Sequence, residues 1–192
     1  MVINLAKGLQ TFTSNAFLVT GERTVLVDAG SNFDIEDGVS EHSDSVDTIV
    51  LTHTHPDHIG NLSEAKAAFG VDAWGFDEQQ TGVDHSIRDG ETICLGDDDY
   101  TAVHTPGHKD DHLCFYSAAP GVLFCGDLVF QNGSFGRTDV PGGDRETLIA
   151  SLDTLLEHLD ESLQALHPGH GPSVTENPYR HVELARRYAE EF

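Results

Sequence analysis

The chain has 192 residues, of which 38% are hydrophobic, and its 33 acidic against 10 basic side chains give a net charge of −23. This length and composition predict a single globular domain over residues 1–192. Strong negative charge repels nucleic acid and anionic membranes, and no stretch of about eighteen apolar residues occurs, so neither nucleic acid nor a membrane is an expected partner.

Acidic residues are spread along the whole chain, whereas lysine occurs three times. This distribution predicts a folded protein whose acidic surface is adapted to concentrated salt, as in a halophile. The first residues lack the basic and long apolar regions of a signal peptide, so a cytoplasmic location is expected. Three cysteines without a CxxC pair predict small buried side chains in preference to disulfides.

The first predicted elements are two apolar strands, 15–20 and 24–28, joined in a hairpin by residues 21–23. Asp28 ends the second strand, where it would be either a turn residue or support for a metal site. Residues 31–45 are polar and predict a surface loop or a poorly formed helix.

The next segment places four potential metal ligands directly after a strand. Residues 46–51 form an apolar run that predicts a buried strand, and the ligands follow: His53, His55, Asp57 and His58. Pro56 favours an extended backbone at His55. If the segment is extended, His53, His55 and Asp57 share one face and His58 is turned aside. Residues 61–70 then predict a helix that stops at Gly70. Imidazole with carboxylate indicates zinc, iron or manganese, not calcium.

The second half repeats the pattern of a histidine or aspartate after a strand. Strands are predicted at 71–76, 92–95, 100–104, 113–116, 122–124 and 164–166, and helices at 144–159 and 177–190. His108 and His112 follow one of these strands, Asp127 another, and His167 and His170 the last. All these ends could open on one edge of a pair of sheets.

The motifs HTHPDH (53–58), TPGH (105–108), GD (126–127) and PGHG (168–171) together resemble those of the metallo-β-lactamase superfamily. The loop 133–144 most resembles that of short glyoxalase II-like hydrolases. The resemblance implies a four-layer αββα sandwich with two divalent metal ions, zinc or alternatively iron or manganese, at one edge of the sheets. It assigns His53, His55 and His108 to one ion and Asp57, His58 and His170 to the other, with Asp127 bridging both.

The implied activity is hydrolysis of a thioester of a low-molecular-weight thiol by a hydroxide formed on the two metals. Asp57 and Asp127 would be the catalytic carboxylates, acting as ligands, and Asp57 would also orient the nucleophile without serving as a separate general base. An iron persulfide dioxygenase using His53, His108 and Asp127, or a lactone hydrolase, is an alternative that the motifs do not separate. The acidic charge disfavours a ribonuclease.

Two departures from the family pattern bear on the substrate. After His108 the chain has Lys109-Asp110-Asp111, which either alters substrate fit or reflects the acidic composition. The chain also ends soon after PGHG, without the helical domain that contacts glutathione in larger glyoxalase II enzymes, so another thiol is credible. Arg137 is a candidate for binding a substrate carboxylate, with a loop-bracing salt bridge to Asp139 or Asp144 as the alternative. The protein is expected to be a monomer or homodimer acting on a small molecule.

Overall fold

The fold, taken from a computed structural model that describes residues 1–191, contains two β-sheets. The first sheet has the strand order β1-β2-β3-β4-β5-β6. Its strands are β1 (Val2–Asn4), β2 (Phe17–Val19), β3 (Val25–Val27), β4 (Thr48–Val50), β5 (Ala73–Gly75) and β6 (His85–Ser86). The first two pairings are antiparallel and the other three are parallel, so the sheet is mixed.

The second sheet has the order β11-β10-β9-β8-β7. Its strands are β7 (Thr92–Leu95), β8 (Asp98–His104), β9 (Leu113–Ser117), β10 (Val122–Gly126) and β11 (Ala165–Pro168). Neighbours are antiparallel except for the parallel pair β10 and β11. As a result β8, β10 and β11 all run in one direction.

Helices cover the outer face of each sheet. They are α1 (Ile35–Ser40), α2 (Pro56–Ile59), α3 (Leu62–Phe69), α4 (Arg145–His158) and α5 (Pro178–Glu191), with a 3-10 turn at Gln131–Gly133. Residues of α1 and α3 share a buried cluster with the first sheet, and those of α4 and α5 share one with the second. A third cluster lies between the sheets. The layers are therefore αββα, as the resemblance predicted. No helix in residues 1–191 has the length and apolarity needed to cross a bilayer.

Strand β3 illustrates why these apolar runs become central strands. Leu26 packs toward the helices, while Val25 and Val27 pack between the sheets, and all three are at most 1% exposed. Alternate side chains point to opposite faces of a strand, so a continuous apolar run suits a strand buried on both sides.

Most predicted elements are confirmed, including α3, which ends at Gly70 with φ 67°, and α4, which Asp144 caps. Leu148, Leu152 and Leu155 of α4 are fully buried. Strands β1 and β6 were missed. Both are only partly buried, and neither has the longer apolar run that marks the central strands of similar length. All three cysteines are free of disulfides; Cys114 and Cys125 are buried as predicted, whereas Cys94 is partly exposed.

The extended backbone predicted for 53–58 is wrong beyond His55. His55 is extended (φ −68°, ψ 147°), but Pro56 begins the four-residue helix α2. Asp57 therefore does not lie on the face of His53 and His55, and His58 is fully buried in the site.

Candidate metal centre

Five loops meet at one edge of the two sheets, and each follows a strand. They come after β3, β4, β8, β10 and β11. Because β3 and β4 are parallel in one sheet, and β8, β10 and β11 share a direction in the other, their carboxyl ends meet at a common edge. These loops bring together all seven predicted ligands.

One half of the cluster consists of three imidazoles. The His55 Nδ1 atom lies 3.0 Å from His53 Nε2 and 2.9 Å from His108 Nε2. His108 Nδ1 donates to the main-chain carbonyl of Arg137 at 2.7 Å, which leaves its Nε2 lone pair facing the cluster. His53 Nδ1 lies 3.2 Å from the Thr52 hydroxyl, which itself donates to Asp28. Converging lone pairs of this kind suit a cation.

The other half is built by α2 and the loop after β11. Asp57 and His58 lie on one turn of α2, and His170 Nε2 is 3.1 Å from Asp57 Oδ2. The ligand atoms of these three residues lie within 4.8 Å of one another, a separation that a shared ion can bridge.

Asp127 stands between the two halves. Its Oδ1 lies 3.4 Å from His58 Nε2, while its Oδ2 lies 3.4 Å from His108 Nε2 and 3.5 Å from His170 Nε2. One carboxylate therefore faces imidazoles of both groups, which is the placement a bridging ligand requires.

Two buried atoms of the cluster test whether a metal fits. His58 Nε2 and Asp127 Oδ1 have no hydrogen-bond partner among the described residues. Leaving a buried polar atom unsatisfied costs about 1–3 kcal/mol, and native structures avoid it. Imidazole nitrogen and carboxylate oxygen are both good ligands of divalent metals, so a bound ion would satisfy both atoms at once. The donor set therefore fits a divalent metal.

Neighbouring groups orient these ligands. Asp28, 3% exposed, accepts from the Thr52 main-chain N–H (2.7 Å) and hydroxyl (2.7 Å), and its Oδ2 lies 2.8 Å from His58 Nδ1. That contact puts the proton of His58 on Nδ1 and frees Nε2. Of the two roles considered for Asp28, support of the site is the one the contacts favour.

His112 supports Asp127 in a similar way. It is fully buried, and its Nε2 accepts from the main-chain N–H of Asp127 at 3.0 Å. Its Nδ1 lies 2.8 Å from the Thr105 hydroxyl. From the sequence, His112 was expected near the ligands, but its hydrogen bonds to Asp127 and Thr105 were not predicted.

The electrostatics divide the histidines into two kinds. Burial and neighbouring imidazoles lower the pKa of His53 well below its usual value and that of His55 to about 4, so both are neutral near pH 7. Burial would also lower the pKa of His58, but Asp28 and Asp127 outweigh it and raise that pKa to about 10. Burial opposes ionisation of Asp127, yet the nearby histidines hold its pKa far below the usual range. The potential around His58 thus favours a positive charge, which a second proton on Nε2 supplies without metal and which a bound cation would supply in its place.

Glycine is required where loops approach the cluster most closely. A Cβ on Gly169 would collide with Asp127 Oδ1 and lie 2.7 Å from His58 Cε1. The PGHG turn can therefore bring His170 into the site only with glycine at this position.

Arg137 is the predicted site residue whose side chain lies outside the cluster. Its guanidinium is 73% exposed and forms two hydrogen bonds with Asp139, at 2.8 and 2.9 Å. Its link to the cluster is the carbonyl that holds His108. The loop-bracing alternative is thus present in the structure, and binding of a substrate carboxylate stays a prediction.

Comparison with known proteins identifies the family. A model described as "Metallo-beta-lactamase superfamily" matches residues 9–82 and 75–170. The chain belongs to the metallo-β-lactamase superfamily. It is 34% identical to the hydroxyacylglutathione hydrolase GloC of Haemophilus influenzae, a match that covers 66% of this chain and 69% of that protein. It is 33% identical to the hydroxyacylglutathione hydrolase of Serratia proteamaculans, of which it spans 54%.

A solved structure supports the same placement. That of TTHA1623 in a di-iron-bound form superposes with a TM-score of 0.74 at 29% identity, covering 98% of this chain and 96% of that one. The superfamily and the cluster together indicate a metallo-hydrolase that binds divalent metal.

Proposed function

We propose that this superfamily member hydrolyses a thioester of a low-molecular-weight thiol at a two-metal centre. The observation that carries the proposal is the pair of unsatisfied buried atoms, His58 Nε2 and Asp127 Oδ1, at the junction of the two ligand groups. The likeness to hydroxyacylglutathione hydrolases supports the substrate class.

The chain's own groups supply two sets of ligands. His53, His55 and His108 would hold one ion, Asp57, His58 and His170 the other, and Asp127 would bind both. Zinc is the proposed metal because neutral imidazole and carboxylate suit it, with iron or manganese as the alternatives. Two bound divalent ions would polarise the thioester carbonyl. They would also lower the pKa of a coordinated water to about 7, so that hydroxide is available near neutral pH.

The residues then act by holding these groups in place. Asp28 keeps the proton of His58 on Nδ1, and the Arg137 carbonyl keeps that of His108 on Nδ1, so both Nε2 atoms are available. Asp57 Oδ2 lies 3.1 Å from His170 Nε2. Burial opposes ionisation of Asp57, but His170 and His58 outweigh it and lower its pKa, so the carboxylate is held ionised.

The two buried cysteines are not assigned a role as nucleophiles. Burial raises the pKa of Cys114 to about 12 and that of Cys125 well above its usual value. Because the thiolate is the nucleophilic form, these side chains are unreactive at neutral pH. Nucleophilic attack by water accords with this arrangement.

The proposal extends to the environment. Within residues 1–191 the buried acidic side chains are Asp28, Asp111 and Asp127, and Asp57 lies in the metal cluster, so the other acidic residues contribute to a negative surface. We propose that this surface serves a cytoplasm rich in salt, where short screening lengths weaken its self-repulsion.

The test is turnover of thioesters of glutathione and of other small thiols, followed as released thiol. His55→Ala and Asp127→Ala should each abolish hydrolysis and keep the fold, as judged by circular dichroism. His42→Ala, at an exposed histidine, is the matched control and should keep full activity. Turnover retained in either ligand variant would refute the two-metal mechanism.

A further inference from the structure

Asp111 is a buried carboxylate outside the ligand set. It is 2% exposed, although it lies in the acidic run Lys109-Asp110-Asp111 that follows the TPGH motif. Burying a carboxylate costs several kcal/mol unless it is paired and hydrogen-bonded. A role other than surface charge is therefore indicated for Asp111.

The partners of Asp111 come from both ligand-bearing loops of the first histidine group. Its Oδ1 accepts from the Lys109 ammonium at 2.9 Å, and Lys109 directly follows His108. Its Oδ2 accepts from the Thr54 hydroxyl at 2.6 Å, and Thr54 lies between His53 and His55. Asp111 thus ties the loop after β4 to the loop after β8 beside their ligands.

His55 is the ligand that needs such a tie. His53, His58 and His108 each have the second ring nitrogen in contact with a hydroxyl, carboxylate or carbonyl oxygen. Among the described residues the ring of His55 has no such oxygen partner, and its Nδ1 faces the other two imidazoles of its group. Its position is therefore set by the backbone that carries it. That backbone is anchored one residue earlier at Thr54, and on the other side by the His55 carbonyl, which accepts from the main-chain N–H groups of His58 and Ile59.

We infer that Asp111 and Thr54 are positioning residues, which hold His55 where it can bind the first metal through the Asp111–Thr54 hydrogen bond. Lys109, whose ammonium lies 2.9 Å from Asp111 Oδ1, supplies the counter-charge for the buried carboxylate. The inference rests on the proposed metal centre and adds to it two residues that touch no metal.

The experiment measures zinc affinity of the metal-free protein by competition with a chromophoric chelator, in high salt. Thr54→Val removes the hydroxyl at nearly constant shape, and Thr54→Ser keeps it. Asp111→Asn removes the buried charge, whereas Asp110→Asn removes the charge of a 70% exposed carboxylate that contacts the same ammonium at 3.2 Å. Thermal unfolding of each metal-free variant reports folding separately.

Loss of a ligand-orienting hydrogen bond typically weakens metal binding roughly 10- to 100-fold. We expect a loss of that size in Thr54→Val and in Asp111→Asn, and wild-type affinity in Thr54→Ser and Asp110→Asn. In Asp111→Asn the single amide oxygen should face the Lys109 ammonium, which leaves the Thr54 hydroxyl without its acceptor. The double variant Thr54→Val/Asp111→Asn should therefore bind no more weakly than Asp111→Asn, because both changes break the same hydrogen bond.

Unchanged affinity in Thr54→Val or in Asp111→Asn would overturn the inference, even if the metal-free variant melts at a lower temperature. If Asp111→Asn fails to fold, Thr54→Val decides the matter, since it retains the Lys109–Asp111 ion pair. A wild-type protein that binds no zinc would instead overturn the metal centre itself, and the inference with it.

Discussion

Replacing Asp28 with asparagine is a precise way to disturb one ligand without removing it. Asp28 occupies the left-handed region (φ 59°), which asparagine also tolerates, so the backbone should not change. The native carboxylate accepts from the Thr52 N–H and hydroxyl and from His58. An amide has one acceptor oxygen and an NH₂ group that can only donate.

This substitution should change the tautomer of His58. If the amide oxygen keeps the Thr52 N–H, the NH₂ group faces His58 Nδ1, which then must accept. The proton of His58 moves to Nε2, the atom that should bind the metal, as happens when the buried carboxylate of a catalytic triad becomes an amide. We expect zinc affinity at this half of the site to fall roughly 10- to 100-fold, or about 1.4 to 2.7 kcal/mol.

Zinc titration with a competing chelator measures this change directly. Asp47→Asn is the matched control, because Asp47 also accepts a main-chain hydrogen bond, from Thr24 at 2.7 Å, but at the surface. That variant should bind like the wild type. Two zinc ions bound by Asp28→Asn with wild-type affinity would refute the role of Asp28 in setting the tautomer of His58.

Three further predictions concern salt, substrate and pH. With a net charge of −23, the protein should melt at a markedly lower temperature in dilute buffer than in about 1 M salt, where the screening length is near 3 Å; equal melting temperatures would contradict the salt adaptation. Arg137→Ala should raise KM for carboxylate-bearing thioesters about tenfold or more, while Asp139→Asn should not; an unchanged KM would leave Arg137 as a loop brace. Burial lowers the pKa of His167 from 6.5 to about 4. As pH falls through this range, the unfolded chain takes up a proton before the folded protein does, so the free energy of unfolding decreases by up to about 3 kcal/mol. His167→Phe should remove that part of the pH dependence in denaturant titrations, and an identical slope would contradict it.

The ligands could be predicted from sequence because strand ends are easy to recognise. Apolar runs such as 46–51 and 122–124 stop abruptly, and His53 or Asp127 follows within three residues. The order of these strands within the two sheets places their ends at one edge. That order depends on which strands pair with each other, and the local sequence does not determine this. The sharing of ligands between two ions came from the family resemblance, since spacing alone does not contain it.

The geometry of α2 could not be predicted from periodicity, since four residues make a single turn. One signal was available: proline is favoured at the first position of a helix, and Pro56 occupies it. Using Pro56 only to constrain His55 gave the correct extended His55 and the wrong placement of Asp57 and His58.

Buried acidic residues are equally hard to recognise in an acidic chain. Asp28 and Asp111 look like the other acidic residues in sequence, and tertiary contacts alone decide that they are buried. Asp28 has contacts in the loop 24 residues later, and Asp111 accepts from Thr54, 57 residues earlier. Contacts at such separations leave no local pattern.

The central claim is a two-metal centre, and elemental analysis of the purified protein tests it most directly. The protein should be purified in high salt without chelators or metal-affinity resin, and its metal content compared with thioesterase activity before and after chelation. We predict close to two zinc-type ions per chain, with activity lost on chelation and restored by zinc. About one iron per chain, with oxygen uptake on a persulfide and no thioester hydrolysis, would contradict the account.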